Sequence, residues 1–168
     1  MNIETVKMLY DYTYYARDLL WDCVTDLSEE QYRQPQTYSV GSVHQQVVHM
    51  VSAEYIWFSR LNGTSPGRMF DSSDFSTRED VRDRWREVEQ SVRTYLDKLT
   101  DDALNETFSY KHTSGKPYTQ PIIHPLLHVV NHATDHRSQI FAIIHQMGGR
   151  TVEHDLIFYL RSLQTPSA

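Results

Sequence analysis

Histidine is frequent in the last third of the sequence, and its spacing there could support metal binding. The chain contains nine histidines, and five of them lie between His124 and His145. His132 and His136 are four positions apart, so on a helix both imidazoles would lie on one face, one turn apart. Two imidazoles placed in this way can bind one metal ion from one side. The spacing therefore predicts two of the protein ligands of a divalent metal site.

A third ligand has to come from another element, and His49 is the best candidate. It lies midway along an apolar helical stripe, where an imidazole is expected to point inward. Three neutral imidazoles would leave coordination positions open to water or substrate, which is typical of a catalytic rather than a structural site. Imidazole ligands suit zinc, nickel, copper and iron alike. The pattern therefore indicates one divalent metal without identifying it.

The histidines could instead have a structural role. A histidine on a core-facing helix is commonly a hydrogen-bonded core residue, although burying several unpaired imidazoles is costly. The histidines at positions 124, 128, 132 and 136 rotate by about 40° at each four-residue step, so they cannot all bind one ion. From spacing alone, the pair could be His128 with His132 instead of His132 with His136.

Composition restricts the class of protein. With 168 residues, we expect a single domain over residues 1–168. The single Cys23 excludes an internal disulfide and fits a reducing cytoplasm. We find no secretory signal and no apolar run near the ~20 residues that span a bilayer. The net charge of −6 argues against nucleic acid as the main partner. We therefore expect a cytoplasmic protein that binds neither membranes nor nucleic acid.

Apolar periodicity predicts an all-α protein. Four long amphipathic helices and a short last one should form a bundle. A further helical start at Ser28 should end before Pro35, and residues 103–120 resemble a short hairpin or an extended loop. The five helices are expected over residues 3–26, from Ser39 or Ser42 to about Asn62, from a capping box of Ser76 and Glu79 onward, from about Pro121 to Met147, and over residues 153–163.

Several segments resemble one known family. Residues 128–140 read HVVNHATDHRSQI, which is similar to the signature of the DinB/YfiT-like metalloproteins. Residues 39–58, SVGSVHQQVVHMVSAEYIWF, resemble the second helix of that family, including its Glu and Trp at Glu54 and Trp57. The first helix, with YDYTYYARDLL, resembles the aromatic opening of the family, although Arg17 replaces the more usual Asn. With the terminal DLIFYLRSL, the resemblance covers nearly the whole chain.

The resemblance implies a fold, a metal and its ligands. It implies an up-down-down-up four-helix bundle with a short extra C-terminal helix, and a homodimer. It implies one nickel or zinc ion held by His49, His132 and His136, which selects one of the two histidine pairs. His128 then becomes a residue that supports the ligands rather than one of them.

The resemblance also implies a class of chemistry. Characterised relatives include mycothiol-dependent isomerases and bacillithiol S-transferases, so we expect a thiol S-transferase that acts on small electrophiles with a low-molecular-weight thiol. A metal-dependent hydrolase is the alternative, and a non-catalytic dimeric metal-binding stress protein is a third possibility. The residues three and four positions from His49 are Gln45, Gln46, Ser52 and Ala53. None of them is a carboxylate, which favours thiol chemistry over a hydrolase that needs a Glu base.

Overall fold

The structure, a computed structural model, describes residues 1–164 and is mostly helical with one small sheet. Two 3-10 turns, Ser72–Asp74 and Asp102–Asn105, connect the main elements. The main elements, in chain order, are α1 (Ile3–Thr25), α2 (Glu29–Arg33), α3 (Val43–Leu61), α4 (Arg78–Lys98), β1 (Thr107–Lys111), β2 (Pro117–Pro121), α5 (Ile123–Gln146) and α6 (Leu156–Ser162).

Side-chain caps fix the starts of the first four helices, whereas α5 and α6 begin without one. Ser28 caps α2 and Ser42 caps α3, each in a complete capping box. The prediction for α4 is wrong by one residue. Thr77 rather than Ser76 is the N-cap, because its hydroxyl accepts from the backbone N–H of Asp80 while the Asp80 carboxylate accepts from the N–H of Thr77. Like the predicted Ser-x-x-Glu box, this Thr-x-x-Asp box satisfies the backbone N–H groups of the N-cap residue and of the residue three positions later.

The segment between α4 and α5 forms the predicted hairpin. Strands β1 and β2 pair antiparallel, with Tyr110 opposite Tyr118. Gly115 adopts a φ of 84° in the turn, a conformation that favours glycine. Because β2 continues to Pro121, α5 begins at Ile123, slightly later than expected, and Pro125 lies in its first turn. The hairpin adds a two-stranded sheet to the predicted all-helical class.

The core lies between α1, α3, α4 and α5. Helix α3 packs against both α4 and α5, and α1 packs against α5. The predicted apolar stripes face this core, so Val47 and Val51 of α3 and Ile140 of α5 are fully buried. Within residues 1–164, none of the helices combines the length and the hydropathy needed to cross a membrane. The packing of α3 on α5 brings the conspicuous histidines together.

Candidate metal centre

His49 of α3 and His132 and His136 of α5 form one compact cluster. Their candidate ligand atoms all lie within 4.8 Å of one another. The Nε2 atoms of His49 and His132 are 3.0 Å apart, and the three ring centroids are separated by 4.3 to 5.0 Å. Nitrogens bound tetrahedrally to one zinc ion at ~2.0–2.1 Å are about 3.3 Å apart. The cluster therefore has the donors and the size to hold one metal ion.

A glutamine fixes the orientation of one of these rings. The Oε1 atom of Gln46 lies 2.8 Å from Nδ1 of His136. Because an amide oxygen only accepts, we assign the ring proton to Nδ1, which leaves the Nε2 lone pair free for a metal. Ligating histidines normally make such an outer hydrogen bond. Gln46 is fully buried, and its role is not visible in the sequence, where it is only a polar neighbour of His49.

Burial keeps the three imidazoles neutral. Burial, together with the charge of the neighbouring histidines, lowers the pKa of His49 to about 4 and that of His132 to about 3. The pKa of His136 is also lowered by burial, against the opposing charge of Asp135. At neutral pH each of the three imidazoles therefore has one nitrogen with a free lone pair, the form that a divalent metal requires.

These pKa shifts predict that acid destabilises the metal-free protein. In five histidines, burial lowers the folded-state pKa, whereas the unfolded value is near ~6.5; they are His44, His49, His128, His132 and His136. Below about pH 6.5 the unfolded chain binds more protons than the folded protein. The contribution of these histidines to the free energy of unfolding is therefore complete above pH ~6.5 and is lost as the pH falls toward their folded-state pKa values. Buried Glu54, whose pKa is raised, opposes this effect with a single group.

The urea midpoint of chelator-treated protein should therefore fall steadily between pH 7 and pH 5. Each histidine can contribute at most about 1.4 kcal/mol per pH unit. His132→Ala should reduce this slope, whereas His112→Ala, on the exposed end of the hairpin, should leave it unchanged. A midpoint that is constant over this range would contradict the assignment of neutral buried imidazoles.

His128 lies beside the cluster rather than in it. Its ring is 5.5 Å from that of His132 and packs edge-on against Trp57 at 5.4 Å. His128 is exposed, and among residues 1–164 the group able to hold a metal comprises the other three histidines. The alternative pair of His128 with His132 is therefore not the one that the packing brings to His49.

Two cavities flank the cluster. An open one of about 190 Å³ adjoins His49 and is lined also by Met69 and Phe70 from the loop after α3. A much smaller one is lined by His132 together with Tyr14, Glu54 and Trp85. The first gives a small molecule access to His49 from outside, and the second brings a buried carboxyl group to the inner side of the cluster.

Glu54 is the carboxylate that sequence spacing missed. It is 5 % exposed, and its two oxygens accept from the Tyr14 hydroxyl at 2.6 Å and from Trp85 Nε1 at 2.7 Å. Burial raises the pKa of Glu54, while the two hydrogen bonds and the charge of Arg17 oppose the rise. Glu54 is five positions from His49, outside the spacing of three or four residues at which helical neighbours share a face.

A family model decides where this chain belongs. The model described as the DinB family matches residues 1–166. The chain belongs to the DinB family. No curated protein matches the sequence.

Three solved structures share the fold, and two of them are described as DinB proteins. A DinB-like protein from Bacillus cereus ATCC 10987 has a TM-score of 0.66 at 19% identity, covering 90% of this chain and 97% of that one. A DinB family member from Shewanella denitrificans has a TM-score of 0.63 at 17% identity, covering 93% and 95%. A conserved protein from Enterococcus faecalis has a TM-score of 0.64 at 11% identity, covering 82% and 93%. At these identities the comparison establishes a DinB-like fold.

Proposed function

We propose that this DinB-family protein is a metal-dependent thiol S-transferase that acts on small electrophiles. One divalent ion, nickel or zinc, would be held by His49, His132 and His136. The observation that carries the proposal is a cluster of three neutral imidazoles, oriented by Gln46 and open to a cavity on the side of His49. Three protein ligands leave room for a further ligand, the arrangement of a catalytic site.

The residues of the cluster would act by binding and orientation. A divalent metal held there would lower the pKa of an incoming thiol and favour its thiolate at neutral pH. In the transfer, the thiol loses its proton to solvent, its sulfur forms a bond to the electrophilic carbon, and the leaving group departs with the electron pair. The neutral imidazoles keep the donor set in place, while Gln46 keeps His136 in the ligating tautomer.

A hydrolase is the second candidate, and Glu54 is the observation that favours it. Glu54 lines the same small cavity as His132, so a water molecule there could meet a carboxylate base. Both oxygens of Glu54, however, already accept hydrogen bonds from Tyr14 and Trp85. This engagement favours a structural role for Glu54, and with it thiol chemistry.

The protein's own thiol is not the proposed nucleophile. Cys23 is fully buried, and burial raises the pKa of its thiol. Conjugation of a fluorogenic electrophile should therefore need both metal and an added low-molecular-weight thiol, and Cys23→Ser should keep the wild-type rate. The assay compares several thiols, with and without metal, for both proteins. An inactive Cys23→Ser protein with normal metal content, or an equally fast thiol-independent hydrolysis, would contradict the proposal.

The proposal includes a cytoplasmic homodimer of single-domain chains, each an up-down-down-up four-helix bundle with α6 as the extra helix. Large side chains exposed on α1 and α6 support the dimer, since such surfaces mark interaction sites. Tyr15 is 36% and Ile157 47% exposed, and the ring of Tyr15 lies 5.2 Å from that of Tyr159. Light scattering should give a mass near twice 19.8 kDa. A mass of one chain that persists as concentration rises would contradict it.

A further inference from the structure

Among residues 1–164, Arg60 is a buried cation without a charged partner. It lies in the last turn of α3 and is 4% exposed. Throughout the part of the chain that the structure describes, its guanidinium makes no hydrogen bond or ion pair, and its Nε is buried and unsatisfied. Burial also lowers the pKa of Arg60. Buried charges are normally paired, because desolvating a lone one is costly. Arg60 thus has donors available for an anion.

Two aromatic rings hold the guanidinium in place. Its carbon lies 4.7 Å from the ring centre of Trp57 and 4.8 Å from that of Tyr110 in β1. Such stacking fixes the plane of the group and leaves its N–H edge free for a planar or tetrahedral oxyanion. The end of α3 also favours a cation electrostatically, but that effect does not supply acceptors for the five N–H groups.

Other deeply buried arginines are bonded to side chains. Arg17, at 4% exposed, binds the Glu89 carboxylate at 2.6 Å. Arg137, fully buried, donates from Nη2 to the Tyr12 hydroxyl at 2.8 Å and to the Thr134 hydroxyl at 3.3 Å, while its Nε and Nη1 have no partner among residues 1–164. Arg60 differs from both because, within residues 1–164, its guanidinium packs on two rings and makes no hydrogen bond or ion pair with a side chain. A bound anion would supply the hydrogen-bond acceptor that Arg60 lacks among the described residues.

A row of rings connects Arg60 with the metal cluster. Trp57 contacts both Arg60 and His128, and the His128 ring lies 5.5 Å from that of His132. His128 is exposed, so the row is open to solvent at that point. Arg60 is three turns beyond His49, roughly 16 Å along the helix axis, and its side chain leans back toward the cluster. The guanidinium and the cluster are therefore separated by on the order of 10 to 15 Å.

We propose that Arg60 binds an oxyanion, a carboxylate or a phosphate, at the far end of a substrate whose thiol lies at the histidine cluster. This inference rests on the function proposed above and adds the substrate class to it: an acidic thiol long enough to follow the row of rings. A guanidinium recognises carboxylates and phosphates alike through charge-assisted, bidentate hydrogen bonds.

Calorimetric titration of the metal-loaded protein tests this inference. The probes are ω-mercaptooctanoate, its neutral amide, ω-mercaptooctyl phosphate and the S-methyl ether of the acid. Wild type is compared with Arg60→Met, with Arg60→Lys, and with the matched control Arg84→Met. Arg84 also lies over an aromatic ring, that of Phe70, but it is half-exposed and paired with Glu87.

Wild type and Arg84→Met should bind the acid or the phosphate about 10- to 100-fold more tightly than the amide, and the tighter probe identifies the oxyanion. Arg60→Met should abolish this preference without weakening the amide. Arg60→Lys keeps the charge but loses the bidentate geometry of the guanidinium, so it should retain only part of the preference for the anion. If Arg60→Met does not fold, a preference in Arg60→Lys equal to that of wild type would overturn the proposal.

Each remaining outcome is decisive. No preference in wild type, a preference that survives in Arg60→Met, or no binding of any probe would overturn the role of Arg60. If the S-methyl ether binds as tightly as the thiol and the preference still depends on Arg60, the anion site stands and the proposed thiol chemistry fails.

Discussion

Replacing His49, His132 or His136 with alanine is expected to lower the affinity of the protein for a divalent metal by more than about 100-fold. Removing even an outer hydrogen-bond partner of a metal ligand typically costs 10–100-fold, and each alanine removes a ligand outright. The measurement is a competition titration against a chromophoric chelator. His112→Ala, on the exposed hairpin, and His154→Ala, on the ring of Phe141, should keep wild-type affinity. A triple variant that retains a full equivalent of metal would show that the site lies elsewhere.

Replacing Gln46 should reduce the affinity for metal less than replacing a ligand histidine does. Gln46→Ala removes the acceptor of the His136 N–H and should weaken metal binding by about 10- to 100-fold. Gln90→Ala, at an exposed position of α4, is the matched control. Equal affinities for the two variants would mean that Gln46 does not orient the ligand.

Glu54→Ala is expected to destabilise the fold by about 2–4 kcal/mol. The substitution removes the acceptor of the Tyr14 hydroxyl and of the Trp85 N–H, which stay buried without a partner, and it leaves a cavity. For a chain of this size, that loss lowers the melting temperature by about 5–15 °C. Glu54→Gln should cost less, because its amide oxygen can still accept one of the two bonds. Glu87→Ala, an exposed position of α4, should change stability by less than about 0.5 kcal/mol.

Glu54→Gln also separates the two candidate activities. If the protein is an S-transferase, the metal-loaded Glu54→Gln variant keeps its thiol-dependent rate within a few-fold, because Glu54 serves the packing of α1, α3 and α4. A stable, metal-loaded variant without activity would make Glu54 the missing general base and would favour the hydrolase.

The sequence could predict elements whose signals are local. The capping serines, the apolar stripes and the turn at Gly115 each depend on a few neighbouring residues, and the helices and hairpin follow from them. The predicted α4 cap is wrong by one residue because Ser76–Glu79 and Thr77–Asp80 offer the same chemistry in adjacent frames. The choice between them depends on the local geometry of the helix start.

The candidate site depends on contacts between residues far apart in the chain. The four-residue spacing left two histidine pairs open and the family resemblance selected His132 with His136; the packing of α3 on α5 brings that pair to His49. The hydrogen bond from His136 to Gln46 joins positions 90 apart, and the bonds of Glu54 join positions 40 and 31 apart. No periodicity in a single sequence records such pairs.

The metal content of tag-free protein tests the central claim most directly. After incubation with nickel or zinc and dialysis against buffer at about pH 7.5, elemental analysis should find about one equivalent per chain, because three neutral imidazoles converge on one point. Less than about a tenth of an equivalent with both metals, in protein shown to be folded, would contradict the claim that His49, His132 and His136 form a metal site.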